Sequence, residues 1–363
     1  MDTVPLDIVC IILSFAEFGD VRSLSLLNRD CNTEANKLLW RHLHLQIRSK
    51  LYTEDARRML EGFCEALIRD PQRAHCVHNL RITIKGRLWH GQEDPKVLVH
   101  TLSKLGRAMS YTRRLRVLQI FPRHHFRDIA KALSSASPSI QLPDLHTFES
   151  VISFSDGLER FMSESCPFVK TYRISGTRTL DCVRDFPTHL FPQLTTYSGT
   201  SSLLSVVLNN RPVHAVDCIN SIPSSGVADL IQGLRSSSVS VTELSINVSM
   251  GYDKRYQENS TDGEVRLLNS LVETTPMLRI FELFSHGQFD DNRLSDIAMH
   301  RFATALGRLE KLESFNWWDA RGPIWGQEFI ALCREKCVSL NEIIINGGVL
   351  EWTQGTMRSE TGY

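Results

Sequence analysis

The chain has 363 residues, 42% of them hydrophobic and 23% charged, a make-up that excludes a wholly disordered protein. Lys and Arg number 41, as do Asp and Glu; that balance argues against a general nucleic-acid binder, whose affinity needs clustered positive charge. The charge is unevenly spread: 21 Lys and Arg face 14 Asp and Glu across residues 1–130, and 20 face 27 in the remainder, an asymmetry able to orient two different partners.

The opening Met1-Asp2-Thr3-Val4-Pro5 lacks the positive region of a secretory signal. No window approaches the roughly 18 uninterrupted apolar residues of a membrane span, so no membrane partner is expected. Over residues 6–16, Leu6, Val9, Ile12, Leu13 and Ala16 recur at the spacing of a buried helical stripe, and Pro5 suits a first helical turn. Gly19-Asp20 breaks the chain, and Asp20 is placed to cap a second helix carrying Val21, Leu24 and Leu27. Asn28 offers the next cap, before a third helix ending at Leu38-Leu39-Trp40. Three helices in about forty residues make a small core that needs a partner surface to cover its exposed apolar groups.

In order, Val4-Pro5-Leu6-Asp7-Ile8-Val9, Ile12-Leu13-Ser14-Phe15, Asp20-Val21-Arg22-Ser23-Leu24, Leu26-Leu27-Asn28-Arg29 and Leu39-Trp40-Arg41 resemble an F-box. The resemblance implies docking onto a Skp-type adaptor, and through it onto a cullin-RING ubiquitin ligase. Carried over by position, Pro5, Ile8, Ile12, Leu13, Val21, Leu24 and Leu27 lie at or just beneath that contact, and Trp40 closes the module's own core. The chain departs from the family pattern at Asp7, Ala16, Phe18 and Cys31; Ala16 and Cys31 reduce packed volume, which bears on adaptor affinity more than on fold.

Residues 51–70 carry Ala56, Met59, Leu60, Phe63 and Leu67 at helical spacing, with Thr53 as a cap and Asp70-Pro71 as a stop. They read as a stiff helical connector. Beyond it a weak pattern recurs: a helix, then apolar residues separated by two positions and by one. It appears at Val77-Leu80-Ile82, Leu115-Leu118-Ile120, Val169-Tyr172-Ile174, Val213-Val216-Cys218, Val241-Leu244-Ile246, Leu278-Phe281-Leu283, Leu312-Phe315-Trp317 and Leu340-Ile343-Ile345. Poorer copies begin at Leu145 and Leu194. Successive starts lie 19 to 38 residues apart, bracketing the roughly 20–29-residue leucine-rich repeat with insertions. Each unit supplies one strand and one helix, and stacking buries the face that neither covers alone. The pattern is similar to the divergent leucine-rich repeats of fungal and plant F-box proteins. A doubly wound α/β domain also alternates helix and strand; the copy number and the absence of a Gly-rich phosphate loop favour the solenoid.

The fold class expected is therefore α/β: a three-helix F-box at 1–48, a helical connector at 49–75, a solenoid with parallel inner strands and outer helices at 76–350, and a C-terminal tail at 351–363. Strand alternation turns the residues between the buried apolar ones toward the inner face. Among these, Arg81, Arg173, Phe284 and Trp318 are the candidate client-binding residues, the two large aromatics as anchors for a bound protein. Arg113, Arg114, Arg116, Arg123, His124, His125 and Arg127 form a basic set able to receive a phosphorylated or acidic segment.

Nine scattered cysteines, mostly at apolar-periodic positions, suit reduced and buried thiols in a cytoplasmic and/or nuclear protein. Cys333 and Cys337, and the cluster His75, Cys76 and His78, lack a second ligand pair at zinc spacing. No Walker loop, dinucleotide fingerprint or nucleophile elbow occurs, so no catalytic residue, metal or cofactor is expected. The function expected is a substrate-recognition adaptor of an SCF-type ubiquitin ligase. The alternative is an F-box scaffold or ligand-sensing repeat protein that does not drive ubiquitination.

Overall fold

The strands form where the apolar residues alternate, and the helices form between them. The structure, a computed structural model, describes residues 18–27, 29–47, 54–84, 103–122, 133–135, 140–151, 156–174, 187, 189–249, 260–285, 296–319, 326–346, 350–353 and 356–359. The chain divides into two compact units, Met1–Ile174 with His189–Pro192, and Ser175–Thr188 with Gln193–Tyr363.

The first unit begins with helices α1 (Phe18–Leu24) and α2 (Arg29–Arg41), which lead directly into strand β1 (His42–Ile47). Then follow α3 (Glu54–Arg69), α4 (Pro71–His75), β2 (Asn79–Ile84), α5 (103–109), β3 (Val117–Pro122), β4 (Thr147–Ser150), α6 (Asp156–Ser165) and β5 (Thr171–Ile174). The five strands pair in chain order, all parallel. Leu43, Leu80, Leu118, Phe148 and Tyr172 stand in one cross-strand row. Phe148 stacks on Tyr172 with ring centroids 6.1 Å apart, and Tyr172 meets Phe191 at 5.2 Å.

Several expectations shift here. Asp20 lies inside the first turn of α1 and so is not its cap; Asn28 and Thr53 lie outside the described residues. Asp70 ends α3 and then caps α4, its carboxylate accepting from the Arg73 backbone N–H at 3.1 Å, with Pro71 in the first turn. The stretch 42–47 is a strand, and Trp40-x-x-Leu43-x-Leu45 is one more copy of the recurring apolar pattern. Trp40 is half-buried and meets the Arg73 guanidinium 5.6 Å above its ring.

The second unit holds β6 (Thr196–Gly199), α7 (Leu204–Val207), β7 (Ala215–Pro223), α8 (Val227–Arg235), β8 (Glu243–Ser249), α9 (Ser260–Thr274), β9 (Ile280–Ser285), α10 (Asp296–Gly307), β10 (Ser314–Asp319), α11 (Gly326–Lys336) and β11 (Glu342–Ile345). Strands β6 to β11 are parallel and adjacent in chain order. The stretch expected as a tail adds two antiparallel strands, β12 (Leu350–Thr353) and β13 (Thr356–Ser359). One row runs Tyr197, Val216, Leu244, Phe281, Phe315, Ile343 and Trp352. Helix residues cover it: Phe302 of α10 lies 5.2 Å from Trp317 and 5.6 Å from Phe329 of α11.

Both units are therefore α/β stacks of strand-and-helix repeats, each repeat covering its neighbour. Within each unit, neighbouring repeats join through a backbone device at strand entry. The residue after the first apolar position lends its carbonyl to two N–H groups of the next repeat. His78 O accepts from Arg116 at 2.7 Å and Val117 at 3.1 Å, and Arg116 O from His146 at 3.1 Å and Thr147 at 3.0 Å. In the second unit His214, Thr242, Arg279 and Glu313 do the same for the repeats that follow them.

Candidate partner-binding surface

Of the residues expected to meet an adaptor, Pro5, Ile8, Ile12 and Leu13 lie outside the described residues. Val21 is buried with Ala35, and Leu24, Leu38 and Leu39 pack partly against this pair. Leu27 is 68% exposed and its neighbour Leu26 is 83% exposed, both in the turn after α1. That turn is held in place: Ser25 Oγ donates to the Arg22 carbonyl at 2.6 Å, and Asn32 Nδ2 of α2 donates to the Ser25 carbonyl at 2.9 Å. A fixed turn with two adjacent leucines in water is what a partner surface would cover.

The sheet face of the first unit, opposite its buried apolar row, carries His44, Arg81, Gln119, Glu149 and Arg173 in one row. Arg81 is exposed, its guanidinium 4.9 Å over the Phe121 ring. Gln119 donates to Glu149 at 2.6 Å. Arg173 is also exposed, but three strand spacings, about 14 Å, separate β2 from β5. The two arginines share a row without sharing a pocket. Arg113, Arg114 and Arg116 are exposed in the loop before β3; Arg123, His124, His125 and Arg127 lie outside the described residues.

The second unit brings more together. Phe281, Leu283, Phe315 and Trp317 face the helices, so the alternate positions must face the other way. Phe284 and Trp318 consequently stand in register on adjacent strands, with ring centroids 6.2 Å apart and planes 13° apart. Trp318 remains 42% exposed. The same face carries Asp217, Glu243, Glu282 and Glu342, and among the described residues of β6–β11 it carries no Lys or Arg.

These carboxylates differ in their partners. Ser198 Oγ donates to Asp217 at 2.7 Å, and Ser314 Oγ to Glu342 at 2.7 Å. Glu282, half-buried between Ser245 and Asn316, has no hydrogen-bond or ion-pair partner among the described residues. Asn316 Oδ1 and Asn247 Oδ1 are buried and accept no hydrogen bond from the described residues. Asn247 is the register partner of Phe284. Three acceptor groups of the patch thus lack a donor among the described residues. The apolar triplet of β8 ends at Ile246, one residue before Asn247, and so gives no sign of it in the sequence.

Other candidates resolve as structure. Cys333 and Cys337 are buried, and burial pushes both thiols up. His75 is exposed, Cys76 donates its thiol to the Gln72 carbonyl at 3.3 Å, and His78 accepts from Arg41 at 3.1 Å. Among the described residues no group of three or more His, Cys, Asp or Glu is placed to hold a metal ion, and no helix is long and apolar enough to cross a membrane.

No family model matches the chain, and no curated protein matches it. Among solved structures it is similar to a chain in the crystal structure of the Rad7 and Elc1 complex in yeast, at 10% identity over 94% of this chain and 87% of that one, with a TM-score of 0.34.

Proposed function

We propose that the chain is the substrate-recognition subunit of an SCF-type cullin-RING ubiquitin ligase, docking on a Skp-type adaptor through its first 45 residues and presenting a client on the open faces of its repeats. The observation that carries this reading is the ordered F-box-like motif from Val4 to Arg41, followed by leucine-rich-repeat-like copies. The exposed Leu26-Leu27 turn beside the small core of Val21 and Ala35 agrees with it. Such a subunit has no chemistry of its own and acts by raising the client's effective concentration beside a charged conjugating enzyme. Client contact is assigned to Arg81 and Arg173 in the first unit and to Phe284 and Trp318 in the second.

The test is capture by a recombinant Skp-type adaptor. The double variant Pro5→Ala, Leu13→Ala loses capture if the motif is the interface, and Leu26→Asp, Leu27→Asp weakens it. Retained capture by the double variant removes the proposed interface. Ubiquitin transfer to a bound client in a reconstituted cullin complex then separates a ligase subunit from a scaffold.

A further inference from the structure

We infer that the patch around Trp318 is an arginine-binding site, so that clients held by the second unit present an arginine side chain there. The inference rests on the reading of this face as client-binding and adds the chemistry of the client.

Three observations converge on residues of adjacent strands. Phe284 and Trp318 offer a stacked, partly exposed aromatic surface. Glu282, on the same strand and face as Phe284, is a half-buried carboxylate with no partner among the described residues. Asn247 and Asn316, beside these three in the register, hold amide oxygens that accept nothing from the described residues. A carboxylate carries only acceptors when ionised, and an amide oxygen adds more. The ligand that completes such a patch brings donors and a flat face.

A guanidinium is planar, carries five N–H donors in a fixed fork and stacks on aromatic rings. An ammonium brings charge but neither the fork nor the stacking plane. Asp217, Glu243 and Glu342 give the surrounding face the same sign, with no Lys or Arg of β6–β11 to compete for Glu282. An acidic or phosphorylated segment would meet like charge on the described strands, so this face and the arginine-bearing face of the first unit suit different chemistries.

The experiment titrates the full-length chain with the blocked pentapeptide Ser-Leu-Arg-Leu-Ser and with its Lys and citrulline counterparts. Affinity is read by isothermal titration calorimetry for every variant, and the place of binding from 15N-indole NMR signals of the parent, that of Trp318 being identified by its loss in Trp318→Phe. The Arg peptide is expected to move the Trp318 signal and to bind about tenfold tighter than citrulline, with Lys between them. Glu282→Gln is expected to reduce Arg binding to the citrulline level. Trp318→Phe keeps a stacking ring and retains the Arg preference, whereas Trp318→Ala loses about tenfold. Glu310→Gln, an exposed carboxylate in the turn after α10, changes nothing. Because Glu282 has no partner to lose among the described residues, its amide variant is expected to melt with the parent. Citrulline or Lys binding as tightly as Arg, no binding of the Arg peptide, or an Arg preference surviving Glu282→Gln overturns the inference. Adaptor capture on the same preparations reports separately on the ligase reading.

Discussion

Arg41 donates from Nε to the ring Nδ1 of His78 at 3.1 Å, which requires that this imidazole nitrogen carry no proton. Burial, followed by the positive charges of Arg41, Arg116, Arg114 and His42, holds the His78 pKa below its usual 6.5. The unfolded chain therefore takes up this proton first as pH falls, and stability drops through the window below 6.5. Above that window the effect vanishes. We expect His78 to titrate below the ~6.5 of an unstructured histidine in NMR. Urea midpoints should fall between pH 7 and 5.5, less steeply in His78→Gln. A His78 midpoint at or above 6.5 defeats the prediction.

Arg211 is buried to 1% exposure, with its guanidinium spent on carbonyls. Nη1 donates to Val206 at 3.1 Å, Val207 at 2.7 Å and Asn209 at 3.3 Å, and Nη2 to Pro187 at 2.7 Å. Burial lowers its pKa to about 10, so it stays charged at neutral pH. Its bonds hold the chain end of α7 and the turn where Asn210 adopts φ 57°. Arg211→Met removes the donors and leaves the carbonyls unpaired, at an expected cost of about 3 kcal/mol. Arg211→Lys should recover little, because one ammonium cannot span the same set. Equilibrium urea unfolding measures both.

Two glycines sit where repeats touch through backbone. A Cβ on Gly307 would lie 2.5 Å from the carbonyl oxygen of Lys336, and one on Gly233 would meet the Cβ of Leu204 and, at 3.0 Å, the N–H of Ser205. Backbone cannot swing aside as a side-chain tip does. Alanine at either position, normally favourable in a helix, should cost about 1–3 kcal/mol. A neutral or raised melting temperature in Gly307→Ala would refute the packing argument. Gly62 is the control, with nothing within 4 Å of its added Cβ; Gly62→Ala should be neutral or stabilising.

The described cysteines predict a labelling order. Cys31, Cys64, Cys166, Cys218, Cys333 and Cys337 are buried, and Cys76 is half-exposed. Burial raises the Cys64 thiol to about 12 and pushes Cys166 and Cys218 up as well. In the native chain at pH 8, iodoacetamide followed by peptide mapping should modify Cys76 first among these seven. Raising the pH to 9 should not recruit Cys64. Modification of Cys166 or Cys333 before Cys76 would contradict the burial described here.

Much of the strand ladder was legible because a strand buried on one side announces itself by alternation. All ten copies of the apolar pattern from Val77 to Ile345, eight triplets and the two poorer copies at Leu145 and Leu194, precede or occupy strands. Leu43 and Leu45 are hidden in the sequence because Leu39-Trp40 already completes the helical motif just before them. Strands β12 and β13 were missed because Leu350, Trp352 and Met357 are too few to repeat the apolar pattern of the other strands. Parity alone put Phe284 and Trp318 on the open face. Their stacking needed the register of β9 against β10, which no local pattern encodes. That Glu282 lacks a partner among the described residues is further still from the sequence, since it depends on everything around the side chain.

The carbonyl shared at each strand entry also sets a rule for change. Neighbouring repeats are aligned where the chain enters the sheet, so the distance travelled elsewhere is free to vary: 37 residues separate the starts at Val241 and Leu278, and 28 separate Leu312 from Leu340, yet both steps keep the same pairing. Extra residues inserted between a strand's exit and its next helix leave this alignment untouched. One residue added between Leu278 and Phe281 would turn every side chain of that strand over, carrying Phe284 inside and Leu283 out. The molecule can lengthen on one side of its repeats and is frozen on the other.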